Sequence, residues 1–373
     1  MTWMIRITLA LALALAASLA ALWLFFGRAA PYVGPPVAPR QGAPAEVLVE
    51  MPLPPGNVAV AADGRVFVNV HPFAQARRFA DATVFELIDG TLKPFPDAAF
   101  QARYQGVFGM TVDRRQRLWA VEPAGLDHER TRLLAFDLDS GALVFEHAFD
   151  PGVARFAQDL RMAPDGRHLI LADTGLFKFT PPGLIVFDLE RRSHRVLLAD
   201  HPSTQPQDWL IRTVRGPHRM AGGLLNFAVG IDGITFSADG RWLVYGAMSH
   251  DTLYRVPVQA LLDPALDAAA LAAQVEAMGP KPLSDGLATD ADDGVLITDI
   301  EHGRLVRRAP DGSLTTLAQP PGVIWADGVA VAPDGTLLFT DSAIPHYLDP
   351  LGRPPAQAVL DAGAPYRVWR VRP

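Results

Sequence analysis

Three aspartate-glycine pairs, Asp232-Gly233, Asp285-Gly286 and Asp327-Gly328, each open a short alternating run that ends in a second turn-forming segment. Asp232 lies eight residues before Gly240, Asp327 eight before Gly335, and Asp285 nine before Gly294, where Asp292-Asp293 lengthens the turn by one. Equivalent strands would therefore carry these carboxylates at one level, aimed at a common opening. Like charges gathered there repel one another unless a cation neutralises them, and carboxylate oxygens suit a hard ion such as Ca²⁺ or another divalent cation. An ammonium group satisfies the same electrostatics. Asn57 and Asp159 stand one residue further in, seven before Gly64 and Gly166, and complete a candidate metal set of Asp232, Asp285, Asp327, Asp159 and Asn57. One run departs from the pattern with Phe108 and Gly109, so that Phe108 joins Asp159, Asp232, Asp285 and Asp327 as a ligand-contacting candidate. Trp325, two residues before Asp327, offers that pocket an aromatic wall. The competing reading is structural, since an aspartate before a strand also pins loops by accepting backbone amides.

The elements that must position these groups recur along the chain. "GIDGITFSADGRWLVYGAMSHDTLYRVP" from 230 is echoed by "PGNVAVAADGRVFVNVHP" from 55, "VFGMTVDRRQRLWAVEP" from 107, "AQDLRMAPDGRHLILADTG" from 157, "LSDGLATDADDGVLITDIEHGRLVRRAP" from 283 and "WADGVAVAPDGTLLFTDS" from 325. Six units that each begin strand, turn, strand, and mostly continue into two further β-rich runs, predict an all-β, six-bladed β-propeller with four strands per blade. The later pairs, Asp63-Gly64, Asp165-Gly166, Asp239-Gly240 and Asp334-Gly335, fall between strands where glycine supplies positive φ, and their aspartates are turn formers. Two insertions interrupt the series. Residues 201–229 carry Trp209, Arg212, Arg215, His218 and Phe227 and read as a lid, whereas 258–279 contain an Ala/Leu-rich helix that reads as decoration. Closure falls to "AEVLVEMP" (45–52) pairing in one blade with "PYRVWRVRP" (365–373).

The chain has 373 residues, a formal net charge of −7 and no cysteine. That charge leaves no basic face for nucleic acid, and the missing thiols exclude disulfides, thiolate metal sites and cysteine nucleophiles. Residues 7–26 form an uncharged apolar run behind Arg6, long enough at 1.5 Å per residue to match a hydrocarbon core of roughly 30 Å. The expected organisation is thus a transmembrane or signal helix within 1–28 (signal peptide or signal anchor), a Pro/Ala-rich linker at 29–44 and the propeller at 45–373. The body lies on the export side, periplasmic or extracellular, and meets the membrane through the N-terminal helix if that helix is uncleaved. No G-x-S-x-G, H-E-x-x-H, P-loop or dinucleotide fingerprint occurs, and Ser249-His250-Asp251 is no triad, because neighbours on a strand face opposite ways.

The ordered phrases "LILADTG", "GLIVFDLERRSHRVLLADHPS", "GIDGITFSADGRWLVYGAMSHDTLYRVPVQALLD", "SDGLATDADDGVLITDIEHGRLVRRAPDG" and "WADGVAVAPDG" resemble the bacterial branch of the major royal jelly protein/yellow family from about residue 45 to the end. The resemblance implies a six-bladed, usually secreted propeller with a ligand pocket at the channel mouth. Some eukaryotic relatives bind biogenic amines, others are associated with dopachrome rearrangement, and bacterial members are often named as related to dopachrome tautomerase. A looser likeness is to the gluconolactonase/senescence marker propellers, which hold a divalent metal through a Glu, Asn and Asp set. Only Asp285 matches that set, since Gly56-Asn57 stands where its Glu is expected and Asp232 replaces its Asn. The expected function is binding of a small cationic or aromatic ligand at the channel mouth. The alternative is an enzyme, either a dopachrome-type isomerase or a metal-dependent lactonase, and no other cofactor is implied.

Overall fold

The computed structural model describes residues 2–39, 44–349 and 351–372, so positions 1, 40–43, 350 and 373 of the expected helix, linker and propeller lie outside the described residues. Strand pairing gathers the repeats into six four-stranded antiparallel sheets, the blades of a propeller. The first strands of blades one to six are Pro55–Val60, Met110–Val112, Ala157–Met162, Ile231–Phe236, Ser284–Thr289 and Ala326–Val331, and they are innermost. The middles of the second strands are apolar because each blade packs against both neighbours. In blade three, Leu169, Ile170, Leu171 and Ala172 are all buried. Each large aliphatic residue so placed contributes about 1.5–3 kcal/mol. The outermost strand of blade two, Leu143–Ala148, instead alternates between half-buried and exposed.

Blade six joins the two ends of the ring. Its outer strand, Glu46–Met51, pairs antiparallel with Tyr366–Val371, setting Glu46 opposite Arg370 and Met51 opposite Tyr366. This is the clasp that the terminal β-rich runs suggest, and it gives blade six its fourth, outermost strand.

Antiparallel order fixes which loops share an end. First strands start at one end, here called the rim end, and finish at turns such as Asp239-Gly240 at the other. Connections from second to third strands, and from blade to blade, return to the rim end. The insertion 201–229 is one of these, lying between blades three and four, and it folds into small hairpins, Arg212–Thr213 with Gly216–Pro217 and Arg219–Met220 with Leu225–Asn226. The insertion 258–279 holds two one-turn helices, Val258–Leu262 and Ala268–Ala272, and then supplies Glu276–Pro280 as the outer strand of blade four.

One helix, Thr2–Leu22, runs into a π-turn at Trp23–Gly27, and the segment Trp3–Gly27 is long and apolar enough to cross a membrane. The described part of the Pro/Ala-rich linker after it lies against the propeller. Gly27 and Tyr32 are buried, Ala30–Pro31 pair in parallel with Trp209–Leu210, and the Tyr32 hydroxyl donates to the carbonyl of Lys281 at 2.6 Å. Ala38 then bridges to Thr315 of blade five. Composition averages hide a single aromatic anchor and a two-residue strand, and these hold the segment down.

Candidate functional site

The rim is built by a repeated irregularity. In blades one, three, four, five and six the first strand slips by one residue against the second, at Pro55/Val58, Ala157/Asp159, Ile231/Ile234, Ser284/Leu287 and Ala326/Val329. A β-bulge of this kind re-aims a side chain. Here it brings Asn57 and Asp159 to the same opening as Asp232, Asp285 and Asp327 despite their different spacing. The amides that the bulges unpair are met from the second strand: Asn57 N donates to Asn69 Oδ1 (2.6 Å), Gly286 N to Thr298 Oγ1 (2.8 Å) and Gly328 N to Thr340 Oγ1 (2.9 Å).

The glycine of each rim pair allows close approach and is not a turn residue. A Cβ on Gly233 would meet Asp285 O at 2.6 Å, one on Gly286 would meet Asp327 O at 2.5 Å, and one on Gly328 would meet Asn57 Cα at 2.8 Å. Backbone therefore touches backbone from blade to blade. What remains at the centre is a cavity of about 30 Å³ lined by Asn57, Phe108, Asp159, Asp232, Asp285 and Asp327, together with His71, Gln158 and Arg161. Trp325 is fully buried behind this wall and donates its indole N–H to Asp285 Oδ2 at 2.7 Å. It orients a rim carboxylate and does not line the cavity.

The carboxylates are unequally satisfied. Asp159 accepts from Leu160 N (2.8 Å), from Arg161 Nη1 (2.6 Å) and, across the blade boundary, from Ile234 N (3.2 Å). By contrast Asp232 Oδ2 and Asp327 Oδ2 are buried without a hydrogen-bond partner, and His71 Nε2 stands 3.9 Å from Asp327 Oδ2. Burial holds His71 neutral by lowering its pKa to about 3, and its Nδ1 accepts from Phe73 N. Burial and then the neighbouring carboxylates push Asp232 and Asp327 well above the usual range. Asp285 rises to about 7 through burial, against the Trp325 hydrogen bond that lowers it. Four carboxyls around so small a space share protons or a cation; they cannot all stand charged.

The donor set fits a hard cation only in part. The oxygens are of the right kind, and two of them lack partners. Among the described residues, however, no three His, Asp or Glu side chains form a group that could hold a metal ion. Asp159 is committed to Arg161, and Asp285 to Trp325.

Sequence reasoning missed four participants. Arg161 was detectable as the same-face neighbour two residues after Asp159. His71 and Gln158 enter through a loop and a bulge that no periodicity marks. Lys281 is wholly buried between blades four and five, where its Nζ donates to Ser284 Oγ (3.0 Å) and Pro282 O (3.1 Å). Burial brings this amine down to about 7, opposed by Asp251, Asp299 and Asp232. The insertion 201–229 closes the rim end. Ile211, Phe227 and Trp325 share one buried cluster with Met248, Ile300 and Tyr347. His218 stacks edgewise on Trp325 with ring centroids 5.7 Å apart.

The model of the major royal jelly protein family matches residues 105–319, which span blades two to five. The chain belongs to the major royal jelly protein family. No curated protein matches it. Among solved structures, this family member is similar to a gluconolactonase from Xanthomonas campestris, 14% identical with a TM-score of 0.54 over 91% of this chain and 98% of that one. It is also similar to the calcium-binding protein regucalcin from Agrobacterium tumefaciens, at 17% identity and a TM-score of 0.53 over 90% and 95%. A luciferin-regenerating enzyme aligns at 12% identity with a TM-score of 0.55 over 89% and 96%. At such identities the likeness is one of fold, and this royal jelly family chain shares the six-bladed architecture with all three.

Proposed function

We propose that this propeller is an exported or membrane-tethered binding module that takes a small cation, a divalent metal ion or the ammonium head of an amine, into the carboxylate cavity. The observation that carries the reading is the pair of buried, unpartnered oxygens, Asp232 Oδ2 and Asp327 Oδ2, facing one space. An unpaired buried carboxylate is costly, and a cation between two of them offsets that cost. A volume of about 30 Å³ admits one ion or one to two waters, so an aromatic ring carried by the ligand would lie outside this cavity. Asp232 and Asp327 would hold the cation, with Asp285 and Asn57 beside it. A divalent ion there would supply Lewis-acid polarisation of a bound oxygen. The regucalcin that shares the fold is named as calcium-binding, which agrees with this choice.

Calorimetric titration of the full chain with Ca²⁺ and with a simple primary amine tests the reading. One of the two should bind, and Asp232→Asn combined with Asp327→Asn should weaken it by at least an order of magnitude. Equal binding by wild type and the double variant would overturn the assignment. A second reading, proton transfer on a bound substrate by a dopachrome-type isomerase, draws on Asp285, whose carboxyl titrates near neutrality as a general acid-base should. Dopachrome turnover lost in Asp285→Asn would favour it, and lactone turnover lost on chelation would favour a metal-dependent lactonase.

A further inference from the structure

The segment that follows the apolar helix is sealed onto the lid with no spacer. Gly27 is buried so closely that a Cβ there would meet the carbonyl oxygen of Leu224 at 2.4 Å, and Arg219 Nη1 donates back to Gly27 O at 3.0 Å. Phe26 stacks on Phe179 of blade three with centroids 4.4 Å apart. Within this helix the side chains from Trp3 to Ala21 are all exposed. Its 21 residues rise about 31 Å, the thickness of a hydrocarbon core, and exposed Trp23 and Phe25 fall at its end where interfacial aromatics belong.

The rim end also carries exposed apolar side chains on separate loops. Leu126 (71% exposed) lies in the second-to-third connection of blade two, Phe179 (47%) in that of blade three and Leu351 (66%) in that of blade six. Val214 (62%) occupies the tip of the lid hairpin, between exposed Arg212 and Arg215. Residues 201–229 hold three arginines against the single acidic residue Asp208, in a chain whose net charge is −7. The Val214 tip, flanked by arginines, suits an anionic lipid surface, and Leu126, Phe179 and Leu351 add apolar contact area around it.

We infer that the helix remains in the protein as a membrane anchor and that the lidded rim end of the propeller lies flat on the same bilayer, with Leu126, Phe179, Val214 and Leu351 in the headgroup region. The partner is the lipid surface that the chain's own helix crosses, and the inference does not use the cation reading. A ligand would then reach the lid from the membrane side, and the Asp-Gly turns would face water. Because the chain has no cysteine, single labels can be placed cleanly. Full-length Val214→Cys, Leu126→Cys, Asp165→Cys and Asp334→Cys variants, each carrying a small fluorophore, would be reconstituted in phosphatidylethanolamine/phosphatidylglycerol vesicles. The first two should be quenched severalfold more strongly by nitroxide-labelled lipid than the last two, and aqueous iodide should show the reverse order. Four labels alike in both quenchers would overturn the inference. So would an N-terminal mass showing that the mature chain begins beyond residue 20.

Discussion

The indole N–H of Trp325 donates to Asp285 at 2.7 Å, while the same ring makes edge-to-face contacts with His218 and Phe227 of the lid. One side chain thereby ties a rim carboxylate to the segment that covers it. Any displacement of the lid that shifts this ring alters the charge state of the rim, because the hydrogen bond is what holds Asp285 down against burial.

Trp325→Phe keeps an aromatic core residue but deletes the donor. Loss of a buried hydrogen bond to a carboxyl group should cost about 1.5–3 kcal/mol in chemical denaturation. The Asp285 carboxyl should titrate above its present value of about 7, an upward shift readable by carbon NMR of the side-chain carboxyl.

Asp285→Asn mimics the protonated state and isolates one group from the other titrating residues. The folded pKa is raised, so between 3.8 and about 7 the native state keeps a proton that the unfolded chain releases, and wild-type stability falls as pH rises through that window. The asparagine variant lacks this loss. Its stability relative to wild type, measured without added cation, should increase from pH 4 to pH 7.5 by at most about 1.4 kcal/mol per unit.

His218 works in the opposite sense. Burial lowers its pKa to about 4, so the unfolded chain takes up a proton first and wild-type stability falls as pH drops from 6.5 towards 4. Its Nε2 has no partner. His218→Phe should therefore raise the melting temperature at pH 7.5, by about 1 kcal/mol of stability, and should show a larger gain at pH 4.5.

Two glycine substitutions separate close approach from turn geometry. Gly286→Ala forces a Cβ to 2.5 Å from Asp327 O, and it should destabilise by about 1–3 kcal/mol or more and impair binding in the cavity. Gly64→Ala meets nothing within 4 Å and suffers only a φ of +90°, so it should cost about 1–2 kcal/mol and leave binding unchanged. Denaturation midpoints and calorimetry on both variants provide the comparison.

The six blades and the level of Asp232, Asp285 and Asp327 were readable because the repeat supplies its own ruler, the turn glycine. Asn57 and Asp159 measured one residue short on that ruler. Their arrival at the rim depends on a slip in strand pairing, and pairing between strands leaves no mark in a single strand's pattern. The sequence sets Trp325 beside the pocket, and the structure has it behind the cavity wall, since a period of two sets the face of a residue and not what stands between it and the axis. The lid was suggested by its aromatic and basic content, whereas the docking of Gly27 and Tyr32 onto it rests on a burial contact and a two-residue strand that Pro/Ala composition conceals.

The glycines of the rim have a last implication. Where main chain rests directly on main chain around a ring, the aperture has no slack, and its diameter is set by the number of blades as a ring gauge is set by its bore. Selectivity at this centre can then be retuned only by exchanging the side chains that project into it, while the spacing of their Cα atoms stays constant.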